Sequence, residues 1–255
     1  MRTRGNTKVD FLTEKAMIVT SMSFSEMYDA YYADAEKVKY KLDALAPKAK
    51  RTFEKTYIFP AWQLYEYTIP KTNNKHILFY YANTPFEYRS TTYCSIFNSD
   101  TNQRLVLKSM KMGYKYPDGR LVKLPQVHIY TSHFFQRYKE RFLHDDTLSA
   151  NETAGIYFAR NPKPTPIDIN ENINMNFKQY GDFNEKGVRV NDGFCFTRSA
   201  IECEKGVDPN ESVLAIGFIY TTFVNELDMA ESQRVAINKE HAEVIEKCIR
   251  EFGNK

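Results

Sequence analysis

The chain is poor in the features that announce the commoner chemistries. It has no P-loop, no Rossmann glycine pattern, no G-x-S-x-G elbow and no Asp…Glu-x-Lys nuclease pattern, which argues against nucleotide-driven and serine-hydrolase functions. No apolar run is long enough to span a bilayer, and Ala16-Met17-Ile18-Val19 is too short for the core of a secretory signal. The four cysteines, Cys94, Cys195, Cys203 and Cys248, are scattered without a C-x-x-C pair. Reduced thiols in a cytoplasmic protein are therefore expected, with a Cys195–Cys203 bridge as the alternative. Net charge is also scarce: 35 Lys and Arg against 32 Asp and Glu leave +3, too little to imply a polyanionic partner by itself. Neither an internal repeat nor a low-complexity tract is visible.

What remains is an ordinary soluble composition, 42% hydrophobic and 26% charged, with aromatics high at 15%. Its patterning predicts an α+β fold: a mainly antiparallel sheet flanked by helices, with a long N-terminal helix and a C-terminal helix. Ser23-Phe24-Ser25-Glu26 reads as a capping box. Met27, Tyr31, Ala35, Val38, Leu42 and Leu45 follow at helical spacing, so a helix of about five turns should pack on the sheet, with Pro47 closing or continuing it. Short β-rich runs come next, at Ile77–Ala82, Thr91–Phe97, Leu105–Tyr114 and Leu121–Tyr130. Ser149-Ala150-Asn151-Glu152 is a second capping box, and Asn161 to Gly181, rich in proline and asparagine, reads as a long loop. Val188–Thr197 is a candidate hairpin about Asn191-Asp192-Gly193. Ser212–Phe223 is apolar enough for a central strand buried on both faces, and residues from Asn238 onward should form the last helix. A single domain over 1–255 is the simplest organisation, divisible into lobes 1–125 and 126–255.

Two stretches carry candidate chemistry. Tyr116-Pro117-Asp118-Gly119 should turn the Leu105–Tyr114 and Leu121–Tyr130 runs into a hairpin. Lys108, Lys111, Lys115, Arg120 and Lys123 make it the most basic part of the chain, and with the neighbouring aromatics they suit an RNA backbone and its bases. A solvated hairpin face accounts for the same charges.

The second stretch is Thr131–Leu143, T-S-H-F-F-Q-R-Y-K-E-R-F-L. Thr131 or Ser132 can cap a helix whose Phe134, Phe135, Tyr138 and Phe142 share one face, while His133, Gln136, Arg137, Glu140 and Arg141 share the other. Arginines at i and i+4 repel unless Glu140 or a bound phosphate compensates them, and guanidinium forks match phosphate oxygens. A histidine, or Glu140, that takes a 2′-OH proton beside such a clamp suits RNA transesterification without a metal or cofactor. A polar helix face carrying surface ion pairs is the plainer account.

The H-x-x-x-R-x-x-E-R pattern of His133, Arg137, Glu140 and Arg141 resembles the first helix of small bacterial ribonuclease-toxin families grouped with barnase- and colicin-type RNases. The resemblance covers residues 127–228 and implies an RNase-like C-terminal lobe, strand-rich after the helix and ending in a Thr-bearing strand, for which Thr221 and Thr222 stand ready. It implies metal-independent endoribonuclease activity, with RNA as partner; a partner such as an antitoxin is not readable from the residues. Those families are shorter and often continue with glycine and an aliphatic after the second arginine, where this chain has Phe142-Leu143. A nucleic-acid-binding or protein-interaction domain without catalysis is the alternative.

Overall fold

The computed structural model describes residues 17–98, 100–116, 119–174, 186–208 and 212–252. Two helices come first, α1 (Phe24–Ala33) and α2 (Ala35–Phe53). The Ser23 capping box forms, with Ser23 Oγ accepting from Glu26 N and the Glu26 carboxylate accepting from Ser23 N. The single helix expected here is divided at Asp34. That carboxylate is fully buried and accepts from Thr72 Oγ1 at 3.0 Å and Asn74 Nδ2 at 2.7 Å, so Asp34 serves the sheet rather than the helix. Past the break α2 runs through Pro47 and lays Val38, Leu42, Leu45, Ala49 and Phe53 on the strands beneath.

Strands β1 (Ala61–Thr68), β2 (Lys75–Ala82), β3 (Tyr88–Asn98), β4 (Gln103–Lys115) and β5 (Leu121–Tyr130) follow as an antiparallel meander. Helix α3 (Ser132–Tyr138), a π turn (Lys139–Leu143) and α4 (Ala150–Arg160) then lead to β6 (Thr165–Asp168), α5 (Glu171–Asn174), β7 (Lys186–Val190), β8 (Gly193–Cys203), β9 (Val213–Asn225) and α6 (Glu231–Phe252). Among the described residues all nine strands join one sheet in the order β1-β2-β3-β4-β5-β9-β8-β7-β6. Its one parallel pair is β5 with β9, from Gln126 opposite Ile216 to Tyr130 opposite Tyr220. The two halves of the chain thus share a ladder, and β9 is the interior strand that its apolar run predicts.

The N-terminal helices cover one face and α3 and α4 the other. Strand alternation sorts the residues: Ile129 and Ile219 join the cluster under α1, whereas Tyr130 and Tyr220 join that under α3 and α4. Tyr130 stacks on Tyr220 with centroids 3.9 Å apart, and Phe134, Tyr157 and Phe158 meet Tyr130 edge-on. Offset and edge-to-face contacts are the favoured aromatic geometries, so the high aromatic content has a structural use here.

Two further expectations change. Residues 161–174 contain β6 and α5 rather than only loop, and the remainder of the expected loop, from 175, lies outside the described residues, as do Pro117 and Asp118 of the hairpin turn. Strand β1 was not among the expected runs. All four cysteines are free; Cys195 and Cys203 lie eight residues apart on β8, roughly 26 Å along an extended strand, far beyond a disulfide's reach. Among the described residues no helix is long and apolar enough to cross a membrane.

Candidate functional site

Helix α3 begins where β5 ends, with the Thr131 hydroxyl accepting from Phe134 N at 3.1 Å and donating to Tyr220 O at 3.1 Å. One side chain thus caps the helix and ties it to β9. Phe134, Phe135 and Tyr138 are buried against the sheet, leaving His133 and Gln136 exposed and Arg137 partly so. On that outer face Arg137 Nε donates to His133 Nε2 at 3.4 Å, and Arg137 NH1 donates to Glu140 Oε2 at 2.8 Å. Gln136 Nε2 donates to the other Glu140 oxygen at 2.9 Å. The Gln136 amide, followed by the Arg137 guanidinium, holds the Glu140 carboxyl below its ordinary value, so it stays ionised.

Arg141 is not part of this face. The chain changes from α to π geometry at Lys139, closing with His144 N–H on Lys139 O at 2.8 Å. A wider turn takes more residues per revolution, so Arg141 falls short of the position one α-turn beyond Arg137. Its NH1 instead donates to Phe223 O at 2.6 Å, and Asn225 Nδ2 donates back to Arg141 O at 2.8 Å. The expected phosphate clamp of two arginines is therefore reduced to one, with Arg141 latching the π turn to the end of β9.

The threonines are likewise engaged elsewhere. The β8–β9 register slips between Thr197, opposite Tyr220, and Phe196, opposite Thr222, which leaves Thr221 as the extra residue of a bulge. Its hydroxyl donates to Phe196 O at 3.1 Å. The bulge resets the alternation, so Tyr220 and Phe223 both meet Phe134, while Val224 joins the cluster under α6. Thr222 falls on the α6 side with Val224, away from α3.

A cleft of about 350 Å3 does flank α3. Gln136 and Lys139 line one wall, Arg104 of β4 another, and Asn151 and Thr153 of α4 a third. Its lining reaches the polar run through Gln136 and does not include His133, Arg137 or Arg141.

The five basic hairpin residues do not form one surface. Lys111 and Lys123 are exposed on the α1 side, with Lys111 Nζ 5.6 Å from the Tyr28 ring centroid. Arg120 lies at the turn over Tyr116, 4.6 Å from its centroid. Lys108 belongs to the other face: its Nζ donates to Thr91 Oγ1 at 2.8 Å and sits 4.7 Å from the Phe158 centroid. Burial pushes its amine down from 10.5 to about 8, so it is no solvated surface cation. Lys115 lies on β4, opposite Leu121.

Sequence reasoning missed the polar node beneath α3. Asp192, in the β7–β8 turn, takes Arg160 in a bidentate pair, Nε to Oδ2 at 2.9 Å and NH2 to Oδ1 at 2.8 Å. Its Oδ2 also accepts from Tyr138 Oη at 2.6 Å and Asn161 Nδ2 at 3.0 Å. Asn161 Oδ1 in turn accepts from Asp192 N at 3.0 Å, and Arg160 stacks over Phe142 at 4.8 Å. This node joins α3, the π turn, α4 and the β7–β8 hairpin. The Asn-Asp-Gly turn could be read for its backbone shape but gave no sign of the partners of its aspartate.

No protein-family model, no curated protein and no solved structure matches the chain.

Proposed function

We propose that the protein is a metal-independent, endoribonuclease-like protein, toxin-like or carried on a mobile element, acting on RNA phosphodiesters in a bacterial cytoplasm. The observation that carries this reading is the hydrogen-bonded run His133–Arg137–Glu140–Gln136, on the outer face of α3 and the start of the π turn, adjoining a cleft that bears Arg104 and Lys139. The chain order also supports it: a helix pair followed by the antiparallel strands β6 to β9, the last bearing Thr221 and Thr222. The free cysteines suit a reducing compartment.

Arg137 donates to His133 Nε2, so the imidazole lone pair is occupied until a better acceptor draws the guanidinium away. A phosphate is that acceptor, being charged and matched to the fork. Its arrival moves Arg137 onto the phosphorus oxygens and frees Nε2 to take the 2′-OH proton as the 2′ oxygen attacks. Glu140, ionised, keeps Arg137 aligned, and water protonates the departing 5′ oxygen. Arg141 and Thr221 hold the framework through Phe223 O and Phe196 O, and neither they nor Thr222 contact the reacting atoms.

Incubating the purified chain with RNA in excess chelator tests this. Cleavage is expected for the wild type and its loss in His133→Ala and Arg137→Ala; no cleavage, or equal cleavage by all three, defeats it. The absence of His133 from the cleft lining favours one second reading, RNA binding without chemistry. Its signature is affinity that falls steeply with salt and survives His133→Ala but not Arg137→Ala.

A further inference from the structure

The sheet forks between β3 and β4. Their ladder joins only Cys94–Asn98 to Gln103–Leu107; beyond it, residues 88–93 pair with β2 alone and residues 108–115 with β5 alone. The fork opens a cavity of about 400 Å3, in the size range of small-molecule sites. Thr91, Lys108 and Ser109 line it from the parted strands, His76 from β2, and Tyr31 and Tyr32 from α1. Tyr32 Oη donates to Ser109 O at 3.3 Å, so α1 is tied to the edge that the fork exposes.

Two of these side chains have unmet hydrogen-bonding capacity of opposite kinds. His76 is 1% exposed, and its Nε2 faces Asp34 Oδ2 at 3.4 Å. A carboxylate only accepts, so Nε2 carries the proton and Nδ1 presents a lone pair, as in other carboxylate-oriented histidines. Burial lowers the imidazole's affinity for a second proton, against the pull of Asp34, so the ring is neutral. Its Nδ1 is buried without a hydrogen-bond partner, a state that ordinarily costs stability. Asp34, held by Thr72 and Asn74, is not on the cavity wall. Lys108 is the complement: Nζ donates to Thr91 Oγ1, and no carboxylate pairs with it among the described residues. A second lysine on the wall, Lys39, is already bridged to Asp43.

We infer that this cavity is a binding site for a small hydroxylated anion, a phosphate or carboxylate bearing a nearby hydroxyl. Lys108 takes the anionic group, and His76 Nδ1 accepts from the hydroxyl. The Tyr31 and Tyr32 rings pack on the carbon skeleton. The cavity runs through the fork, with Thr91 and Lys108 reaching it from the α4 side and His76, Tyr31 and Tyr32 from the α1 side, and it does not depend on the RNA reading.

Calorimetric titration of the full chain with glycerol 3-phosphate and with glycerate tests the site and distinguishes the two headgroups. Inorganic phosphate and glycerol serve as single-group controls. One of the hydroxylated anions is expected to bind roughly tenfold or more tighter than either control, and Lys108→Met should remove at least that factor, the worth of one charge-assisted hydrogen bond. His76→Phe should erase the preference over inorganic phosphate, and His76→Gln, which keeps an acceptor, should restore part of it. Should His76→Phe not fold, the Nδ1 nitrogen resonance of His76 in the wild type replaces it and is expected to move on titration. Absence of saturable binding, controls that bind as well, an affinity unchanged in a folded Lys108→Met variant, or a stationary Nδ1 resonance would overturn the inference.

Discussion

Replacing Asp192 by alanine should destabilise the protein by about 2–4 kcal/mol, a magnitude that follows from each donor the carboxylate leaves behind. Tyr138 Oη is buried and bonds Asp192 at 2.6 Å, so losing its acceptor costs about 1–3 kcal/mol. Arg160, whose side chain is 34% exposed, loses a bidentate partner but can turn to water, which limits its share to about 1 kcal/mol. Asn161 Nδ2 still reaches Tyr157 O at 2.9 Å and adds little. For a domain of this size the total corresponds to a fall in Tm of roughly 4–16 °C. Urea unfolding of wild type, Asp192→Ala, Tyr138→Phe and the double variant would measure it. The double-mutant cycle should return a coupling of about 1–2 kcal/mol, since the two groups share one hydrogen bond. A loss under about 1 kcal/mol for Asp192→Ala, or strict additivity with Tyr138→Phe, would show that the node does not hold α3 to the hairpin.

Other perturbations separate close packing from chemistry. A Cβ on Gly155 of α4 would lie 2.2 Å from Cδ2 of Phe79, a fully buried ring, so Gly155→Ala should destabilise by about 1–3 kcal/mol or more in denaturant titration. On Gly217 the same atom meets the far end of Phe24, a partly exposed ring that can swing aside, so Gly217→Ala should cost clearly less. Arg141→Ala should lower stability by about 1–2 kcal/mol through loss of the bond to Phe223 O, while RNA binding or cleavage by the folded protein is unchanged. Lys108 gives a pH signature. Its folded value of about 8 lies below the ordinary 10.5, so the unfolded chain binds more protons between these values, and stability should rise with pH across that window. Lys108→Met should accordingly be more stable than wild type at neutral pH, with the advantage shrinking from about pH 8 towards 10.5 in paired unfolding curves.

The features that could be read in the residues are those set by neighbours in the chain. Both capping boxes, the hairpin about Asn191-Asp192-Gly193 and the interior strand β9 depend on patterns a few residues long, and each forms. The departures share a different cause, a long-range partner that overrides the local period. Asp34 breaks a helix because its partners lie some 40 residues away, Thr72 and Asn74 in the β1–β2 turn and His76 on β2. The π turn at Lys139 coincides with a latch between Arg141 and the end of β9, and the bulge at Thr221 turns Thr222 away from α3. These last two shifts explain why the candidate site was legible only in part. A helical wheel aligns Arg137 with Arg141, and a motif places a threonine opposite them, but both assume regular elements. One extra residue in a helical turn and one in a strand suffice to withdraw an arginine and a threonine together. His133, Arg137 and Glu140 are grouped as the spacing requires because they precede or only just enter the π turn. Any chemistry on α3 therefore rests on a single arginine, which makes Arg137→Ala a sharper test of the RNA reading than any change at Arg141 or Thr222.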